Sequence, residues 1–98
     1  MSYKDKIAQD ARFFILRELT QQNDGRLNSV SLRRMLGHHG IARTPEYVET
    51  QLNALAELDA ISLIPAGEVL IACIEPAGRD HVAEIVFVAG VTRPADLR

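Results

Sequence analysis

From Tyr3 to about Gln22 the apolar residues Ile7, Ala8, Ala11, Phe14, Ile15 and Leu19 recur at three- and four-residue spacing, which predicts an amphipathic helix. Asp5 near its start and Arg17 near its end match the helix dipole. Phe13 and Leu16 widen the stripe, so this helix should be buried on more than one side, part of it against a partner chain. Asn23-Asp24-Gly25 reads as a turn, and Arg26-Leu27-Asn28 as a very short extended segment. Asn28 or Ser29 then caps a second helix that turns Leu32, Met35 and Leu36 inward and keeps Arg33, Arg34, Gly37 and His38 outside. Gly40 suits the left-handed residue that closes it, with Ile41 folding back onto the last turn. After a tight link, Thr44 is an N-cap and Pro45 belongs at the first helical position. The third helix, about Pro45 to Asp59, should pack through Val48, Leu52, Leu55, Ala56 and Leu58.

The period then changes. Ile61 to Ile64 and Val69 to Ile74 are β runs about the turn Pro65-Ala66-Gly67-Glu68, a hairpin. Its second strand is apolar at odd and even positions, which calls for cover on both faces, by the C-terminal segment or by another subunit. A last helix starts near Pro76 and carries Val82 and Ile85, and the residues from Thr92 to Arg98 read as an extended tail. The chain of 98 residues is the size of one domain, placed at 1–91 with the tail at 92–98. At 47% hydrophobic and 24% charged residues it lies far from the composition of disorder. The longest apolar stretch, Val69 to Ile74, is too short to span a bilayer, and the first residues lack the apolar core of a signal peptide, so a cytoplasmic location is expected.

Charge sharpens the picture. The net charge is -2, but residues 1–43 hold Lys4, Lys6 and six arginines against four carboxylates, and residues 44–98 hold three arginines against nine. Between Asp24 and Glu46 there is no acid and there are four arginines, Arg26, Arg33, Arg34 and Arg43. Any affinity for nucleic acid must come from that local patch.

Three helices, a hairpin and a closing helix, with a short link between the second and third helices, give the order of a winged helix-turn-helix domain: mainly α, with a three-helix core, a β-hairpin wing and a C-terminal helix. The N-terminal Ser-Tyr, Phe14-Ile15-Leu16-Arg17, Arg26-Leu27-Asn28, the Leu52-Asn53-Ala54-Leu55 helix with its hairpin, and the ending Gly90-Val91-Thr92-Arg93-Pro94 resemble small proteins of Mu-like phages and prophages. That resemblance covers nearly the whole chain and implies a winged helix of ArsR-like type; it implies no settled biochemical activity.

In such a domain the second helix and the link lie against the DNA backbone, so Arg26, Arg33, Arg34 and Arg43, with His38 and His39 beside them, are candidate phosphate contacts. Four such contacts would give a log-log salt slope of roughly -3.6. The competing reading is a solvated helix face. On the third helix the outward positions are Glu46, Glu49, Thr50, Asn53 and Glu57. Thr50 and Asn53 are the base-proximal candidates, since Asn53 could read adenine and Thr50 a phosphate or a thymine methyl. The three glutamates would be repelled by phosphates, so the helix could instead solubilise the surface or address a basic protein partner through Glu46, Glu49 and Glu57. The turn Pro65–Glu68 carries no Lys or Arg with which to hold a minor groove.

His38, His39, His81 and the single Cys73 do not make a metal site, because adjacent helical histidines point about 100° apart and three or four convergent ligands are needed. No phosphate loop, nucleophile elbow or paired nucleophile and base is present, so neither enzymatic activity nor a cofactor is expected. Excess apolar surface on the first helix, on Val69 to Ile74 and on Val86 to Val91 favours a two-fold homodimer. The expected activity is DNA binding as a homodimer, with a protein-interaction module of the same fold as the alternative.

Overall fold

A computed structural model describes residues 2–97. Met1 and Arg98, the outer ends of the predicted domain and tail, lie outside the described residues. The order is α1 (Tyr3–Thr20), β1 (Arg26–Asn28), α2 (Ser29–His38), α3 (Pro45–Glu57), β2 (Ile61–Ala66), β3 (Val69–Ile74) and α4 (Pro76–Val82), followed by a 3₁₀ turn at Pro94–Leu97. About half the chain is helical, and the strands form one antiparallel sheet in the order β1-β3-β2.

The helix starts follow local chemistry. The side chains of Ser2, Asn28 and Thr44 accept from the backbone N–H of Asp5, Ser31 and Tyr47 at 3.2, 2.8 and 3.1 Å. Each satisfies a donor that the first helical turn leaves without a partner. Gly40 ends α2 at φ 82°, and the N–H of Ile41 returns to the Leu36 carbonyl at 2.9 Å. That bond brings Ile41 into the core at 4% exposure.

Two helix ends fall earlier than the periodicity predicts, for one reason. Asp59 and Glu84 adopt φ of 58° and 62°, a role the sequence would assign to glycine. At the end of α3 the N–H of Ala60 returns to Leu55 O at 3.0 Å, and beyond α4 the N–H of Ile85 returns to Asp80 O at 2.9 Å. The chain leaves both helices there, so Leu58 and Ile85 do not pack as expected: they are 42% and 69% exposed.

The register sorts the sheet into two faces, since side chains alternate along each strand and antiparallel partners share a side. Leu27, Ile61, Leu63, Ala72 and Ile74 join the core with Leu16, Leu19, Leu32, Leu52 and Leu55. Arg26, Ile64, Ile71 and Cys73 share the outer face. The hairpin is tighter than predicted: β2 runs through Pro65 and Ala66, and only Gly67 and Glu68 form the turn, with Gly67 at φ 65°. Pro65 is tolerated because β2 is an edge strand.

The C-terminal segment is not an extended tail over β3. It runs along α1, where the Thr92 N–H reaches Gln9 O at 3.2 Å, its hydroxyl donates to Asp10 Oδ1 at 2.6 Å, and Arg12 Nη1 donates to Gly90 O at 3.0 Å. Val91 and Thr92 are buried. The wide stripe of α1 is thereby filled within one chain. Phe13 and Leu16 are 3% and 0% exposed, with Phe13 beside the His81 ring of α4 at 6.3 Å. No helix among the described residues is long and apolar enough to cross a membrane.

Candidate functional site

The tight α2–α3 link brings distant arginines together. Arg33 and Arg34 stand on the outer side of α2, and Arg33 Nε donates to the carbonyl of Arg43 at 2.6 Å, tying the helix to the link. The Arg43 guanidinium bonds Ala42 O at 3.1 Å and lies 5.8 Å from the Tyr47 ring centroid. These three arginines line an open groove of about 690 Å³ whose floor is Val30, Gly37, Ala42, Thr44 and Tyr47. Among the described residues none of them has a carboxylate within 4.0 Å; the ion pair found is Lys6 with Asp10, at 3.1 Å on α1. Their remaining N–H groups face solvent, as a site for an external anion requires.

Two of the predicted basic residues belong elsewhere. Arg26 is exposed on the sheet's outer face, opposite Cys73, and does not line the groove. His39 stacks on Phe14 of α1 at 4.2 Å and 6°, with Arg17 over the Phe14 ring at 5.1 Å. Its ring is committed to holding α1 against the end of α2. His38 is exposed and also lies outside the groove lining.

The outward face of α3 is as its spacing predicts: Glu46, Glu49, Thr50, Asn53 and Glu57 are all exposed. The Thr50 hydroxyl donates to Glu46 O at 3.0 Å, so its proton is already used inside the helix and its methyl and lone pairs remain. Among the described residues no cation pairs with Glu46, Glu49 or Glu57. Glu46 sits favourably in the first turn, but Glu57 ends a helix that has no basic residue in its last turn, where a carboxylate is disfavoured by about 0.3–1 kcal/mol.

A smaller recess of about 100 Å³ adjoins the groove, sharing Val30 and Arg33 with it and continuing past Glu49 to Glu68 and Val69 at the hairpin turn. The recess thus holds the carboxylates of Glu49 and Glu68 together with the Arg33 guanidinium. Val30, which lines both, is 51% exposed.

Sequence reasoning missed two polar anchors. Gln51 is 4% exposed on the inner side of α3, where its Oε1 accepts from Arg12 Nε at 2.8 Å. Its position three after Val48 and four before Leu55 was the available signal. His81 is fully buried, with Nε2 donating to Thr92 O at 2.9 Å and Nδ1 accepting the Val88 N–H at 2.9 Å. Both bonds require the neutral Nε2–H tautomer, and with both nitrogens engaged the ring is a structural clasp. Among the described residues no three His, Cys, Asp or Glu side chains stand where one ion could bind them.

No protein-family model, curated protein or solved structure matches the chain. The site therefore rests on its own chemistry.

Proposed function

We propose that the chain is a winged-helix protein that binds double-stranded DNA through the arginine groove at the α2–α3 link. The observation that carries this reading is the convergence of Arg33, Arg34 and Arg43, none neutralised by a neighbouring carboxylate among the described residues. The element order, the β1-β3-β2 sheet and the short link support the winged helix. The resemblance to small Mu-like phage proteins supports it too.

In this reading the three arginines hold phosphates and Asn53, with the Thr50 methyl, is nearest the bases. Arg26 is not needed. Phosphate contacts position without reading sequence, and the acidic remainder of α3 adds no attraction, so binding depends weakly on sequence and strongly on salt. As α1 fills its stripe internally, a homodimer on DNA is left with the exposed Ile85, Val86 and Phe87 beyond α4 as its apolar contact.

The test is a titration of labelled duplex with wild type and with Arg33→Glu/Arg34→Glu at several salt concentrations. Three phosphate contacts per chain give a log-log slope of roughly -2.7, and the double variant loses most of the affinity. Equal binding by both proteins, or none by wild type at low salt, rules the reading out.

One observation favours a second reading, a protein-interaction module that meets a basic partner through α3. Glu57 is an unpaired carboxylate kept at the unfavourable end of a helix, where a merely solubilising surface gains nothing from it.

A further inference from the structure

Six glycines stand in the chain, and five have a reason in the backbone or the packing: Gly25, Gly40, Gly67 and Gly90 take positive φ, and Gly78 has no room for a Cβ against the Ala60 carbonyl. Gly37 has neither reason. It lies within α2 without a positive φ, and a Cβ there would meet no atom within 4 Å outside its own stretch of helix. The left-handed residue that ends α2 is Gly40. Alanine at position 37 would therefore suit both the backbone and the packing, and would favour the helix more than glycine does. A residue that weakens its own element with no structural return points to a functional constraint.

The place of Gly37 says what that constraint is. It lines the arginine groove, four residues after Arg33 and three after Arg34, so it adjoins both on the helix surface. Helical Cα–Cβ bonds tilt toward the N-terminus, so a side chain at position 37 would lie over the turn that carries those two arginines. Arg33 in turn holds the carbonyl of Arg43 at 2.6 Å, which ties the residue bearing the third guanidinium to the same helix. Resting on the DNA reading above, we propose that Gly37 is the seat of the DNA backbone: a phosphodiester lies directly on the bare backbone of α2 at this residue, within hydrogen-bond reach of Arg33 and Arg34. Charge-assisted N–H···O bonds need about 2.7–2.9 Å between heavy atoms. A side chain at the seat keeps the phosphate farther off than that, so it removes the hydrogen bonds while leaving every charge in place.

A size series at this position, Gly37→Ala and Gly37→Leu, tests the seat. Thermal unfolding of the DNA-free proteins should show each variant raising the midpoint by about 2–6 °C, since both residues favour the helix over glycine and nothing in the chain occupies the space. Titration of labelled duplex should show the opposite order. Gly37→Ala binds more weakly than wild type, and Gly37→Leu more weakly still, by at least about tenfold, the equivalent of one charged hydrogen bond. The log-log salt slope of the leucine variant falls from roughly -2.7 toward roughly -0.9, as the Arg33 and Arg34 contacts are lost and that of Arg43 stays. Stability that rises while affinity falls is a result that a purely structural role does not give. A midpoint that does not rise in Gly37→Ala would make the glycine a requirement of the fold and overturn the proposal. So would equal affinity and slope across the series, or a loss complete at alanine and no greater at leucine, which would mark a hinge. If wild type binds duplex, Arg33→Glu/Arg34→Glu does not, and the size series is flat, the DNA reading stands and the seat alone fails; wild type that binds no duplex at low salt removes both.

Discussion

His81 is the residue whose environment differs most from what its sequence position suggests. In the chain it is one of three histidines and invites comparison with metal ligands. In the fold it has no exposure and bonds two backbone groups of the C-terminal segment, Val88 and Thr92. His81→Leu leaves the buried Thr92 carbonyl and the part-buried Val88 N–H without partners, at a cost of about 1–3 kcal/mol for the carbonyl and less for the N–H. Urea unfolding should show a loss of about 2–4 kcal/mol, well beyond the roughly 1 kcal/mol expected for removing the Asn28 cap with Asn28→Ala. A loss no larger than that of the cap variant would mean that the clasp does not hold the segment. Gln51 and Arg12 teach the same lesson: a polar residue at a core spacing of α3 was readable, but its partner on α1 was not, because nothing local links residues 39 positions apart.

Among the elements, the helix starts were the most legible, since Thr44, Pro45 and Asn28 act through bonds within three residues. The ends of α3 and α4 were not, because Asp59 and Glu84 take the left-handed conformation without being glycine. The same shift carried Leu58 and Ile85 out of the core. α4 is held by close approach: a Cβ on Gly78 would run into the Ala60 carbonyl and lie 3.2 Å from Leu16 Cδ2. The Ala60 carbonyl already accepts the Glu75 N–H at 3.1 Å, so it cannot retreat freely. Gly78→Ala should therefore cost about 1–3 kcal/mol, despite the better helix propensity of alanine. Thermal unfolding measures it, and an unchanged or raised midpoint would show that α4 can shift away from α1 and the sheet.

At the scale of the whole molecule, the opposed charges of the two halves meet: Arg33 lines the arginine groove and also the recess that holds Glu49 and Glu68. If DNA is bound at the arginine groove, Glu46 and Glu49 oppose it. Neutralising both with Glu46→Gln/Glu49→Gln removes about 1 kcal/mol of repulsion at separations of about 8 Å in water, so affinity should rise roughly fivefold at low salt. The gain should shrink as salt is added. A fall in affinity in the same duplex titration would instead make those carboxylates part of the contact. The sequence by itself determined the element order, the caps, the inner face of each helix and the existence of a basic and an acidic half, because periodicity, turn chemistry and charge are properties of neighbouring residues. Only the tertiary structure decided that Arg43 joins Arg33 and Arg34 while Arg26 and His39 do not, that the α1 stripe is filled by the chain's own α4 and C-terminal segment, and that Glu68 of the hairpin lines one recess with Glu49 and Arg33. Those outcomes depend on how helices and strands far apart in sequence pack against one another, and the local pattern does not encode that geometry.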